Sequence, residues 1–417
     1  MIKDSNTADL FDYIRNKDVK GIPSLKSILS SYDINKIMAE EVLFNLKENK
    51  ESILLIDARS EKEFGETSLP CSENFPVLNN NERHNTGLIY KKYSQTSALW
   101  LAMQYADPKS ESLKLFLQEK NASHKKIIVY CWRGGGRSGY LSKMINDLGY
   151  KPSVVTGGYK SYRKLVNDFF SGKAFPYELL ELSGLTGSGK TELLKSVSGT
   201  LPVIDLENAA RHFSSLLGQI PYDINNVVPV KNQTAFENNL FSDIYLNLTN
   251  KSTNSSNSSN STNSTNSTNS TNSTNSTFLI ESESKKVGNF EIPGSLYDKL
   301  TVSPTVKIVS SMECRVKRIV RDYFGDDLRG IAFMKKKLKD KESFFKQQLS
   351  NNIYNDLIQM LDKERVNEFT EIMIRDYYDK RYKDKGKKPV AVISTDDMIS
   401  AKKVIADIYN NLTALSN

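Results

Sequence analysis

Two short stretches of this 417-residue chain carry residue types whose spacing implies chemistry. The first is Cys131-Trp132-Arg133-Gly134-Gly135-Gly136-Arg137-Ser138, in which five residues separate a thiol from an arginine. The preceding run, Ile127-Ile128-Val129-Tyr130, has the β-branched apolar character of a buried parallel strand. Beyond it Tyr140, Leu141, Met144, Ile145 and Leu148 recur at helical spacing, and Gly149 is placed to end that helix. A thiol between strand and helix faces free backbone N–H groups and the positive end of a helix dipole, with the guanidinium groups of Arg133 and Arg137 beside it. Each of these favours thiolate over thiol, so the Cys131 pKa is expected to fall. Gly134, Gly135 and Gly136 let the backbone fold back and offer amides to an anion. The bland alternative is a structural cysteine beside solvated arginines, but three consecutive glycines would pack poorly there.

The second stretch is Gly184-Leu185-Thr186-Gly187-Ser188-Gly189-Lys190-Thr191, a GxxxxGK[ST] pattern after the strand-like run Tyr177 to Leu182. Here Gly184, Gly187, Ser188 and Gly189 expose amides to a phosphate chain at a helix N-terminus. Lys190 would neutralise terminal phosphate oxygens, and Thr191 would hold Mg²⁺. Whether the phosphate belongs to ATP, GTP or another diphosphate stays open. Downstream, Pro202 to Ile204 ends in Asp205-Leu206-Glu207, and Phe278 to Ile280 ends in Glu281-Ser282-Glu283-Ser284. Carboxylates at such strand ends are where phosphate-binding folds keep a metal-linked or water-orienting acid. Glu281 and Glu283 are the better candidates, with Asp205 beside them, and simple strand-end solvation competes.

The elements that must position these groups read as α/β throughout. Ser52 to Ile56 predicts a strand ending in Asp57-Ala58-Arg59-Ser60, where Asp57 and Arg59 are read as a structural pair. Asn74 to Val77 predicts another strand, and residues 81–92 a polar segment before a helix from Ser97 to Tyr105. His84, in that segment, is read as a surface residue. Val306 to Val309 and Val390 to Ile393 supply two more strands. After the first of them Arg315, Lys317, Arg318 and Arg321 make one basic helix face suited to phosphate, with a solvated face as the competing explanation. Phe333 to Leu349 is lysine-rich, and Ile372 to Lys388 interleaves Tyr377, Tyr378 and Tyr382 with Arg375, Arg381 and several lysines. Such a pattern can grip a nucleic-acid backbone and stack on unpaired bases, though packing also explains the tyrosines.

The expected organisation is a variable extension over 1–38, one domain over 39–170, a short linker at 171–176, and a second domain to 417. Residues 249–277 are almost wholly Asn, Ser and Thr and cannot bury a core, so they read as a looped-out insertion. Lys+Arg 57 against Asp+Glu 49 gives +8, which permits a polyanionic partner. Three cysteines without a CxxC spacing argue for a reducing compartment. No apolar run reaches membrane length and the first residues lack an apolar core, so a soluble, cytoplasmic protein is expected.

Asp57-Ala58-Arg59-Ser60, the Cys131 loop and Thr156-Gly157-Gly158-Tyr159-Lys160 together resemble a rhodanese domain, a small α/β fold that carries sulfur on cysteine. The common rhodanese loop has four intervening residues rather than five, and five also matches Cys-x5-Arg phosphatases. Loop length alone leaves sulfur transfer, selenium transfer and phosphate-ester hydrolysis open. The P-loop that follows narrows the choice, because the chain from Asp57 onward resembles the tRNA 2-selenouridine synthase family, in which five residues are usual. Gln233-Thr234-Ala235-Phe236-Glu237-Asn238, Gly288, Pro293 and Asp376-Tyr377-Tyr378-Asp379 also match. Two departures are Arg211-His212-Phe213-Ser214-Ser215, where the family usually has His-Arg-Gly-Ser, and the Asn/Ser/Thr insertion.

The resemblance implies a rhodanese-like domain joined to a P-loop NTPase-like parallel-sheet domain with a helical, basic C-terminal part. It implies geranylation of wobble 2-thiouridine from geranyl diphosphate, then replacement of sulfur by selenium from selenophosphate, on a tRNA anticodon stem-loop. Cys131, Arg133 and Arg137 would then handle selenium, with Trp132, Ser138 and the glycine amides forming the anion ring. The P-loop, with Mg²⁺ on Thr191, would hold the diphosphate, and Arg315, Arg318, Arg321, Arg375 and Arg381 would meet tRNA. Two rival readings are a rhodanese-type sulfurtransferase carrying a nucleotide-binding domain and a P-loop kinase with a phosphatase-like Cys domain. The latter lacks a recognisable general-acid carboxylate near Cys131.

Overall fold

The computed structural model describes residues 7–247, 276–382 and 386–415. The chain divides into two units, Met1–Asp168 and Phe169–Asn417.

The first unit is built on β1 (Asn35–Ile37), β2 (Ile53–Asp57), β3 (Ser72–Asn74), β4 (Lys126–Tyr130) and β5 (Ser153–Val155). They form one sheet in the order β1-β5-β4-β2-β3, with every pairing parallel. Strand β2 is buried along its whole length and β4 from Ile127 on, which is why both read as continuous apolar runs. Asp57 at the end of β2 is fully buried, and Arg59 only 1% exposed. The Arg59 guanidinium forks onto the Asp57 carboxylate at 2.6–3.0 Å. It also donates to the Thr67 carbonyl and lies 4.4 Å from the centre of the Tyr159 ring. The structural reading of this pair holds.

Several sequence expectations shift here. The described part of the expected extension over 1–38 belongs to the unit: β1 is a sheet strand, and helix Thr7–Arg15 buries Leu10 and Ile14 against Ile89, Ala98 and Leu101. The strand expected at Asn74–Val77 lies at Ser72–Asn74. The polar segment at 81–92 is itself a helix, Asn80–Lys92, started by reciprocal Asn79 and Glu82 capping bonds.

The second unit contains β6 (Glu178–Ser183), β7 (Val203–Ile204), β8 (Thr277–Glu281), β9 (Lys286–Val287), β10 (Phe290–Glu291), β11 (Thr305–Val309) and β12 (Ala391–Ser394). Five of these form a parallel sheet in the order β12-β11-β6-β8-β7, and β9 with β10 makes an antiparallel hairpin. A separate helical core gathers Phe324, Met334, Leu338, Phe345, Leu357 and Phe369. The lysine-rich run from Phe333 is two helices, Gly330–Asp340 and Glu342–Leu349. In the expected linker, Phe175 is buried and packs edge-on against Phe169, so that stretch is anchored. Thr277, placed in the insertion by composition, opens β8 and is buried; residues 248–275 lie outside the described residues.

Candidate functional sites

At the carboxyl end of β4 the chain enters the Cys131 loop, and helix Gly136–Asp147 leaves it. Gly134 has φ +66°, and a Cβ there would sit 2.3 Å from the Val155 carbonyl oxygen. A Cβ on Gly158 would sit 2.2 Å from the Cys131 carbonyl oxygen. The loop is thus pressed against the Gly157-Gly158 turn, and only glycine permits that approach. Two backbone bonds pin it, from the Tyr159 amide to the Cys131 carbonyl at 2.8 Å and from the Lys160 amide to the Trp132 carbonyl at 3.0 Å. Trp132 is exposed and stacks on Tyr159 at 5.3 Å between ring centres.

Cys131 is 4% exposed. Its sulfur lies 3.2 Å from Ser138 Oγ. Burial pushes the thiol pKa up, but the Ser138 hydroxyl and the amides of Ser138, Arg133 and Gly135 outweigh it, leaving the pKa below its ordinary 9.0. The expected direction holds, yet the cause is the amides and one hydroxyl rather than the two guanidinium groups. Arg133 points to solvent. Arg137 forks onto Glu63 at 2.5 and 3.2 Å, and Arg83 joins the same carboxylate at 3.0 Å. Glu63 was not among the sequence candidates; its signal was the Ser60-x-x-Glu63 capping pattern.

The second site is the loop from Gly184 to Thr191, between β6 and helix Lys190–Val197. It opens on a cavity of about 570 Å³ whose walls include Glu207, Glu281, Glu283, Arg318 and Arg321. The Lys190 ammonium donates to the carbonyls of Gly184 at 2.7 Å and Leu185 at 3.2 Å. Burial lowers its pKa, against the pull of Glu207, Glu283 and Glu281. Thr191 Oγ1 donates to Glu207 Oε2 at 2.9 Å. Glu207 Oε1 accepts the Ser214 amide, and the Glu207 amide donates to Glu281 Oε1, both at 2.8 Å. Sequence reasoning passed over Glu207, although it stands two residues after Asp205. Asp205 instead caps helix Leu206–Ala210 through the Asn208 amide.

Burial and the neighbouring Asp205 and Glu207 charges push the Glu281 pKa well above the carboxylate range. Glu281 Oε2 is buried without a hydrogen-bond partner. Among the described residues no group of three His, Cys, Asp or Glu could chelate a metal ion. That partnerless oxygen, on a carboxylate linked through Glu207 to Thr191, would suit a divalent cation held also by phosphates.

The basic residues separate into distinct roles. Arg315 is buried, donates to the Thr186 carbonyl at 2.9 Å and forks onto Asp379. Arg318 donates to Glu192 at 2.8 Å and to the Thr395 carbonyl. Both brace the phosphate loop, so neither is a free surface cation. Arg321, half-exposed, pairs with Glu192 and Asp322. Arg375 is exposed and pairs with Asp376. Arg381 caps the Tyr377 carbonyl and covers the Tyr377 ring at 4.1 Å. Tyr377 itself is core, so packing accounts for it. Lys387 reaches the buried Glu181 at 2.6 Å; Lys383 and Lys385 lie outside the described residues.

A family model described as "tRNA 2-selenouridine synthase AAA domain" matches residues 177–262 and 260–410, more than half of the chain. The chain belongs to the tRNA 2-selenouridine synthase family. A rhodanese-like domain model matches residues 38–165. Among curated members of the family, the tRNA 2-selenouridine synthase of Bdellovibrio bacteriovorus is 30% identical over 279 residues, covering 66% of this chain and 65% of that relative. The Nitrosomonas europaea protein of the same name is 31% identical over 271 residues, covering 64% and 63%. That of Cupriavidus necator is 26% identical over 352 residues, covering 79% and 87%. The chain thus spans just under two thirds of the length of the first two relatives. No helix among the described residues is long and apolar enough to cross a membrane.

Proposed function

We propose that this chain modifies the wobble uridine of tRNA, converting 2-thiouridine to 2-selenouridine through an S-geranyl intermediate, in the cytoplasm. The observation that supports the reading is one polypeptide holding both a cysteine whose pKa is lowered by Ser138 and its loop amides and a GxxxxGK[ST] loop between a strand and a helix.

In the first step the thiocarbonyl sulfur attacks C1 of geranyl diphosphate. A C–S bond forms, the C1–O bond breaks with its electrons leaving on pyrophosphate, and the base loses its N3 proton. Lys190 and the loop amides bind the departing diphosphate, Arg318 backs the loop, and Thr191 with Glu207 and Glu281 would hold Mg²⁺. Bound there, Mg²⁺ supplies further neutralisation of the pyrophosphate charge.

In the second step selenium of selenophosphate adds to C2 of the base. The C2–S bond breaks, geranylthiolate leaves with the electron pair and takes a proton, and water releases the phosphoryl group as phosphate. Cys131, held by the Ser138 hydroxyl and the loop amides, would be the polar handler of the selenium donor, the role that Cys131→Ala removes. Trp132, exposed and backed by Tyr159, offers a face for an unpaired base of the anticodon stem-loop. Arg321, Arg375 and Arg381 remain the exposed arginines suited to its backbone.

The test is nucleoside mass spectrometry of 2-thiouridine tRNA incubated with the protein, geranyl diphosphate, selenophosphate and Mg²⁺. 2-Selenouridine is expected, with S-geranyl-2-thiouridine accumulating when selenophosphate is withheld. Thiosulfate:cyanide sulfur transfer without any change in the RNA would favour the plain sulfurtransferase instead.

A further inference from the structure

A cavity of about 550 Å³ lies in the first unit, and nothing in the two steps above uses it. Its volume falls within the roughly 300–1,000 Å³ that encloses small organic ligands. Leu25, Leu99, Ala102 and Met103 supply apolar wall, and Gly136 and Arg137 also line it. Those two residues immediately precede Ser138, whose hydroxyl is 3.2 Å from the Cys131 sulfur. The cavity therefore borders the start of the helix that follows the anion loop.

The lining selects the chemistry of that ligand. Arg137 is the one charged side chain among the lining residues, and Glu63 already occupies its fork at 2.5 and 3.2 Å. An anion would find no uncommitted cation there, and burying it would carry the full cost of desolvation. An uncharged aliphatic group carries no such charge-desolvation cost and gains from the removal of apolar surface from water. One wall, Ile22 to Leu25, precedes the residues 38–165 that match the general rhodanese domain. Leu25 reaches the loop helix itself: a Cβ on Gly136 would sit 3.2 Å from Leu25 Cδ2. The wall is thus an addition to that domain, built against the start of the helix that follows Cys131.

We propose that this cavity binds the isoprenoid chain of the S-geranylated base during the selenium step and holds it as the thiolate leaves. The assignment rests on the function proposed above, which places one large apolar group on the sulfur that departs. Uniform binding of that chain would lower the substrate concentration needed, and a grip tightening as C2–S lengthens would raise the rate.

The experiment uses full-length protein, selenophosphate and anticodon stem-loop RNAs carrying S-geranyl- or S-methyl-2-thiouridine, with 2-selenouridine read by mass spectrometry. Wild-type protein is compared with Leu99→Trp and Met103→Trp, which add bulk at two residues lining the cavity. Filling should lower the ratio of S-geranyl to S-methyl turnover by about tenfold or more. Because it is a ratio within one preparation, partial unfolding does not move it. Geranylthiol binding, followed by protein fluorescence, gives the same comparison without turnover: wild type binds and the filled variants do not. An unchanged ratio and unchanged geranylthiol binding in both variants would overturn the assignment and leave the selenium step standing. A wild-type protein that converts neither RNA would overturn the proposed function and this assignment with it.

Discussion

Thr191 Oγ1 donates to Glu207 Oε2 at 2.9 Å, which ties the last residue of the phosphate loop to the acid that follows β7. The Glu207 amide continues the chain to Glu281 at the end of β8. Glu207→Gln keeps an acceptor for Thr191 but removes the charge that a metal ion would need. Loss of such a supporting group commonly costs about 10–100-fold. Geranylation, measured by pyrophosphate release, should fall by that much, while selenation of pre-geranylated RNA stays within about twofold. Equal losses in both steps would show that Glu207 supports the fold rather than the diphosphate.

The Cys131 thiolate owes its stability to Ser138 and the loop amides. Alkylation of Cys131 by iodoacetamide across a pH series should give a midpoint below the ordinary 9.0. Ser138→Ala should move that midpoint upward and slow selenation, because a donor to the charged form is lost. Arg133→Ala should move it much less, since that side chain is exposed. A larger shift from Arg133 than from Ser138 would restore the guanidinium explanation.

Asp57 and Arg59 are both buried and tightly paired. Asp57→Ala leaves a buried guanidinium without its counter-ion, which costs about 3–5 kcal/mol. Urea unfolding of the first unit should register that loss, while Asp57→Leu with Arg59→Met together should cost clearly less than Asp57→Ala alone.

Burial disfavours the Glu63 carboxylate, but the Arg137 fork, the Arg83 charge and the Ser60 amide prevail, holding its pKa below the ordinary 4.5. A carboxylate with a depressed folded pKa stabilises fully above its unfolded value, and that stability is lost as pH falls through the folded value. Wild type should therefore exceed Glu63→Gln in urea midpoint at neutral pH, and the gap should narrow only below 4.5. A gap that persists unchanged at lower pH would mean the carboxylate charge is not the source.

The parts of this molecule legible in its sequence were those fixed by local chemistry. Strands β2, β4, β6 and β8 announce themselves as apolar runs because parallel strands are buried on both faces. Both loops are legible because their glycines and reactive residues are contiguous. What escaped depends on partners distant in sequence. Glu63 meets Arg137 across 74 residues, and Arg315 reaches Thr186 across 129; basic periodicity shows a charged face but not what it faces. The N-terminal residues looked featureless because β1 is three residues long and its pairing with β5 spans most of the unit. Tyr377 was ambiguous for a related reason: aromatic and basic residues interleave equally well in a packed π-helical turn and in an RNA-binding face.

The central claim is a division of labour between Cys131 and Lys190. Nucleoside mass spectrometry on 2-thiouridine tRNA treated with geranyl diphosphate and selenophosphate tests it directly. Cys131→Ala should halt at S-geranyl-2-thiouridine, whereas Lys190→Ala should leave 2-thiouridine unchanged yet still convert RNA supplied already geranylated. If Cys131→Ala instead abolishes geranylation, or Lys190→Ala fails on geranylated RNA while remaining folded, the two cradles do not act on separate steps and the account is wrong.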